Sequence, residues 1–177
     1  MHLILPIAVR RPFAYNHNMT NTSSLPTLAV TGYTAEQKLK NHVMLRALAW
    51  EKGILAMLKE WGENPTPEGL ETAYDRAVEE FPDTMQDARN ECRQGTEETG
   101  LPASADFRML RHYEAKSVAA LMVDGSWVGW LYWHGGGKHG EPESIDWMED
   151  AYHLDVTEEE RVVVVRNFLK APQPLLA

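Results

Sequence analysis

The sequence predicts an α+β fold: about three N-terminal helices packed on a three- to four-stranded antiparallel C-terminal sheet. Three observations carry this. Apolar residues recur at steps of three and four from Leu39 to Trp61, the period of one helix face. Ser126 to His134 alternates around large aromatic and branched residues, directly after Asp124-Gly125, the strongest short hairpin signal. The chain also divides in order, with helical periods in 34–95 and β-rich sequence in 115–170, the layout of helices laid on an antiparallel sheet.

Residues 1–33 read as an N-terminal arm. They hold Pro6, Pro12 and Pro26 and the polar run Asn16 to Ser24, with almost no helical period. The weak character of residues 1–18 makes Met19 a candidate for the true start of translation, which the mass of the native N-terminus would decide. Residues 34–177 are expected to form a single domain. A chain of 177 residues, 44% of them apolar, supports one core of ordinary size.

Thr34-Ala35-Glu36-Gln37 fits a capping box and opens the first helix. Its buried stripe is expected to be Leu39, Val43, Ala47, Trp50, Ile54, Met57 or Leu58, and Trp61, with Leu45, Leu48 and Leu55 widening it. Gly53 marks a kink and Gly62 a C-terminal cap. A second helix begins with Thr66 as cap and Pro67 at the first helical position. It buries Leu70, Tyr74, Ala77, Val78 and Phe81, and Pro82 ends it. A third runs from Asp83 to about Arg93 and buries Met85, Ala88 and Cys92. Gln94 to Ala105 reads as a loop.

Ser117 to Val123 is the first strand, Asp124-Gly125 a type I′ turn, and Ser126 to His134 the second strand. Val128, Trp130, Tyr132 and His134 share one face; Trp127, Gly129, Leu131 and Trp133 share the other. Gly135 to Gly140 reads as a mobile loop, Pro142 to Met148 as one or two helical turns, and Tyr152, Leu154 and Val156 as a third strand. In Arg161 to Phe168 a capping-box match at Thr157–Glu160 favours helix, but four consecutive valines, Val162 to Val165, favour strand, which is the reading adopted.

Composition excludes several classes. The single cysteine, Cys92, forms no internal disulfide and no multi-cysteine zinc site, and reads as a small buried hydrophobe. No apolar stretch approaches the length of a membrane span. At the start of the chain, Arg10 and Arg11 follow the apolar run instead of preceding it, the wrong polarity for a secretory signal. A cytoplasmic location without membrane contact is expected. The formal charge is −9 and unevenly spread: Glu141 to Glu160 holds nine acids and no lysine or arginine. Such a segment repels phosphate backbones, so no direct nucleic-acid contact is expected, whereas a basic protein is attracted.

Three constellations compete for function. The first combines the aromatic strand with the acids: Trp130, Tyr132 and Trp133 as partner-binding anchors, and Glu149, Asp150, Glu158, Glu159 and Glu160 as the charged rim. The second is the glycine-rich loop. There His134, Gly135, Gly136, Gly137, Lys138 and His139 present backbone amides, a cation and nearby aromatic rings to a nucleotide or other small anion. It departs from the phosphate-loop pattern, since His139 stands where serine or threonine belongs. The third is a metal-dependent enzyme in which His134 and His139, with Glu141 or Glu143 and with His112 or His153 joining, would ligate the ion. No nucleophile elbow or helical metal motif is present, and no catalytic residue or resident cofactor is expected.

Val30-Thr31-Gly32-Tyr33 leading into a helix resembles the opening of small phage proteins that sequester cyclic nucleotides. The likeness covers these four residues and carries no site residue across. In general style the chain is similar to accessory proteins of phages and plasmids. The reading from residues is a non-enzymatic accessory protein that engages a basic protein partner, for which a nucleic-acid-binding protein is one candidate, and that is able to form a homo-oligomer.

Overall fold

A computed structural model describes residues 32–103 and 113–159. The expected arm as far as residue 31, the strand at 161–168, His112 and Glu160 lie outside the described residues. Four helices, α1 (Ala35–Ala47), α2 (Gly53–Glu63), α3 (Pro67–Glu80) and α4 (Pro82–Cys92), precede a four-stranded antiparallel sheet in the order β1 (Glu97–Glu98), β2 (Tyr113–Leu121), β3 (Trp127–Gly135), β4 (Tyr152–Leu154). The fold is α+β, with the helices leading the sheet in sequence.

The capping box forms as the sequence predicts. The Thr34 oxygen accepts from the Gln37 amide at 3.2 Å, and the Gln37 side chain accepts from the Thr34 amide at 3.0 Å. The long helix expected from Thr34 to Trp61 is two helices instead of one with a kink. α1 ends at Ala47, and the chain turns through 48–52 before α2 starts at Gly53. A side chain at Gly53 would collide with the Phe81 ring, since a Cβ there lies 2.4 Å from its Cζ. The ring from the end of α3 thus fills the room at the start of α2. Because α1 stops early, Trp50 leaves the buried stripe and is 50% exposed, with the Arg46 guanidinium 4.8 Å from its ring centre. Gly62 lies inside α2 and caps nothing; Asn64 is the cap.

Thr66 caps α3 through the Gly69 amide. Leu70, Tyr74 and Ala77 are buried as expected, joined by Ala73, but Val78 is exposed and Phe81 half-buried. The loop after α4 contains the short strand β1, which pairs with Val118 and Ala119 of β2.

The hairpin differs from the type I′ expectation. The Gly125 amide donates to the Met122 carbonyl, and the Met122 amide donates to the Ser126 carbonyl. The loop is therefore three residues, Val123 to Gly125, with Gly125 at φ +83° in the bulge position. Asp124 is held there from a distance: its Oδ2 lies 2.8 Å from Lys38 Nζ of α1, and its Oδ1 accepts from the Ser126 amide and hydroxyl.

One face of the sheet closes the core. Val118 and Ala120 of β2 and Val128 and Trp130 of β3 pack with Leu39, Val43, Met44, Leu70 and Met85 of the helices. Trp147 and Met148 add to this core from the segment after β3. Val128 and Trp130 share one face, as the alternation read from the sequence has it, and the structure shows that face to be the helix side. Among the described residues no helix is long and apolar enough to cross a membrane.

Candidate functional site

Of the three expected aromatic anchors, two are unavailable to a partner. Trp130 is fully buried: its indole N–H donates to the Arg93 carbonyl at 2.8 Å, and its ring sits 5.3 Å from that of Trp147. This is a core tryptophan with its polar atom satisfied. Trp133, on the opposite face, is 6% exposed. Both are corrections to the reading of this strand as a presented surface. Both faces of this strand are covered along part of its length, and the coverage takes in both tryptophans.

Tyr132 is half-buried at the open end of the helix-facing side. The Arg93 guanidinium lies 5.2 Å and the Lys116 ammonium 5.7 Å from its ring centre, both in the range of cation–π attraction. Lys116 also pairs with Glu98 of β1, and His134 lies 5.6 Å from Tyr132 ring to ring, its Nδ1 3.8 Å from Glu114. The Tyr132 face thus already carries cations of this chain.

The glycine loop folds on itself. Gly135, Gly136 and Gly137 take successive φ values of +85°, +89° and +69°. A Cβ on Gly140 would lie 2.5 Å from the Gly136 Cα, so backbone packs directly on backbone. The Tyr113 ring lies against Gly136, and its hydroxyl accepts from the Glu141 amide at 3.1 Å. The Gly140 amide donates to the Gly137 carbonyl. Two amides that would serve an anion are therefore engaged within the loop. Lys138 is exposed, His134 is half-buried, and the His139 backbone closes a single 3-10 turn, Gly137–His139. Among the described residues no group of three or more His, Cys, Asp or Glu side chains could hold a metal ion.

The acids are different. Glu141, Glu143, Asp146, Glu149, Asp150, Asp155, Glu158 and Glu159 are all exposed. Among the described residues, the first seven of these enter no ion pair. Asp146 accepts from the Met148 amide and so helps turn the chain that delivers Trp147 and Met148 to the core. Trp147 and Met148 go inward while the carboxylates around them stay in water.

A cleft of about 280 Å³ lies between α1, α4 and the start of the sheet, lined by His42, Arg46, Glu91, Cys92, Gln94 and Thr96. Arg46 pairs with Glu91. Burial, and then nearby Arg46, push the His42 imidazole below its usual range, so it is neutral at pH 7. Burial pushes the Cys92 thiol up to about 12, so it stays protonated and unreactive, in keeping with its reading as a small hydrophobe. The charges in this cleft balance internally.

Sequence reasoning missed the exposed Trp50 and the apolar row that β2, β3 and β4 present at the hairpin end. The second was reachable, since the Asp-Gly turn places Leu121 opposite Trp127 once the loop length is known. No protein-family model, curated protein or solved structure matches this chain.

Proposed function

We propose that this chain is a non-enzymatic accessory protein that engages a basic protein partner through its acidic segment. The observation that carries the reading is the set of seven exposed carboxylates from Glu141 to Glu158 to which, among the described residues, no lysine or arginine is paired. Like charges crowded on one segment repel, and neutralising them with cations of the chain itself would relieve that cost. Left open, they create a negative field that raises the encounter rate with a cationic surface and repels nucleic acid. A nucleic-acid-binding protein is a natural partner, because its basic surface is complementary to such a field and the two ligands would compete for it.

Affinity capture from an extract of the native host tests this. Wild type is compared with the triple variant Glu149→Gln, Asp150→Asn, Glu158→Gln, whose side chains are exposed and leave the core untouched. The expected result is a basic protein retained by wild type at low salt, released at high salt, and depleted from the variant's eluate. Identical protein sets from both baits at low salt would overturn the role of the acids.

A further inference from the structure

The outer face of the sheet, opposite the helices, carries an apolar row at its hairpin end. The register sets Leu121 beside Trp127 and Trp127 beside Leu154. Directly opposed residues share a face, so three side chains stand abreast over about 10 Å at the usual strand spacing. Leu121 is 51% exposed, while Trp127 and Leu154 are half-buried. Val123 in the loop and Val156, two residues past Leu154, are 50% and 48% exposed. Three of the six exposed large apolar residues among those described therefore gather at one end of one sheet, which scattered surface exposure does not produce. The row is built rigidly. Gly129 lets Tyr152 and Leu154 lie down on β3, where a Cβ would meet them at 2.7 and 2.9 Å, and the Tyr152 hydroxyl bonds to Ser117. Asp155 and Glu158 adjoin Leu154 and Val156 in the chain, are exposed, and among the described residues lie in no ion pair.

Building on the basic-partner reading above, we propose that the row Leu121–Trp127–Leu154, with Val123 and Val156, docks a basic amphipathic helix of the partner. The acids flanking an apolar strip ask for an occupant whose apolar side chains are flanked by lysine or arginine. A strand laid flat on this face would bury backbone amides and carbonyls without partners, whereas a helix satisfies its own. A helix about 10 Å across also matches the width of the row. A second copy of this chain fits less well. Each copy carries a net charge of −9, and a two-fold contact would set Asp155 and Glu158 against a like-charged surface.

The test uses the full chain and two labelled peptides of about 14 residues, close to four helical turns. They share one leucine-lysine composition; one has leucines at helical spacing and the other has them alternating. Binding is read by fluorescence anisotropy at about 50 mM salt, where the Debye length exceeds 10 Å. The helical-period peptide is expected to bind at least tenfold tighter than the alternating one. Leu121→Ser and Val156→Ser, at half-exposed positions that leave folding intact, should each weaken it about tenfold. Equal binding of both peptides, insensitive to either substitution, would overturn the docking row and leave the electrostatic reading standing. Failure of both peptides to bind would overturn the two together. Wild type sedimenting as a dimer that Leu121→Ser dissolves would show a copy-to-copy interface in place of the proposed one.

Discussion

The tie between α1 and the hairpin loop is the contact whose removal tells most about how this fold is held. Lys38 Nζ lies 2.8 Å from both Asp124 Oδ2 and Ser126 Oγ, and the two charged side chains are only 10% and 11% exposed. Lys38→Met leaves the Asp124 carboxylate nearly buried without its cation. Stranding one member of a buried pair costs roughly 3–5 kcal/mol. Here Asp124 keeps two hydrogen bonds from Ser126 and a tenth of its surface touches water, which brings the expected cost to about 2–3 kcal/mol. For a domain of this size that lowers Tm by roughly 5–10 °C. Urea unfolding followed by tryptophan fluorescence measures it. A double-mutant cycle with Asp124→Asn isolates the pair, with a coupling of about 1–2 kcal/mol expected.

The same pair makes a pH prediction. Burial pushes the Asp124 carboxyl up, but the Lys38 ammonium and the Ser126 hydrogen bonds outweigh it and hold the carboxyl below its usual range. A depressed folded pKa contributes stability above the unfolded value near pH 4 and loses it as pH falls through the folded value. The gap between wild type and Lys38→Met should therefore narrow below about pH 4. A coupling under about 0.5 kcal/mol at pH 7, or a gap that does not narrow in acid, would refute this account of the contact.

Three further outcomes follow from the core. Trp130→Phe removes the bond to the Arg93 carbonyl and part of the contact with Trp147, and should cost about 2–3 kcal/mol by urea unfolding; a loss under about 0.5 would contradict its core role. Gly129→Ala forces a methyl into the Tyr152 ring and should cost about 1–3 kcal/mol, with faster hydrogen exchange concentrated at residues 152–154. Cys92 should resist alkylation in the folded protein and react fully in denaturant. Because burial raises its folded pKa to about 12, the stability it contributes is complete below the unfolded value near 8.5 and declines as pH rises above it. Cys92→Ala should flatten the fall in stability between about pH 8.5 and 10, and an unchanged slope there would show the thiol accessible.

The change of apolar period from helix to strand was legible because it reflects which side of each element meets the core. Thr34, Thr66 and Pro82 marked helix boundaries through local chemistry, and the structure places them there. The break after Ala47 was not legible. Gly53 announced a kink, but Leu48 to Lys52 contains no proline and Trp50 continues the helical spacing, so nothing local announces a full break. The contact that accompanies it, the Phe81 ring against Gly53, is tertiary. The turn type was not legible either, because a glycine at positive φ suits both the two-residue loop and the three-residue loop with a bulge, and the Lys38 contact to Asp124 is visible only in the fold. β1 has two glutamates and no strand propensity; it exists because the Thr96 amide reaches the Ala119 carbonyl. The burial of Trp130 and Trp133 depends on what packs against each face, which alternation alone does not specify. The exposure of the acids was legible, since a run of carboxylates without nearby cations has little reason to leave water.

On the proposed function, the exposed carboxylates guide a basic partner to this chain. The most direct measurement is the association rate of the purified partner with wild type and with Glu149→Gln, Asp150→Asn, Asp155→Asn, Glu158→Gln, from low ionic strength to about 1 M, where the Debye length is near 3 Å. The variant is expected to associate at least tenfold more slowly at low salt, with the two rates converging at high salt. Equal rates at every salt concentration would contradict it.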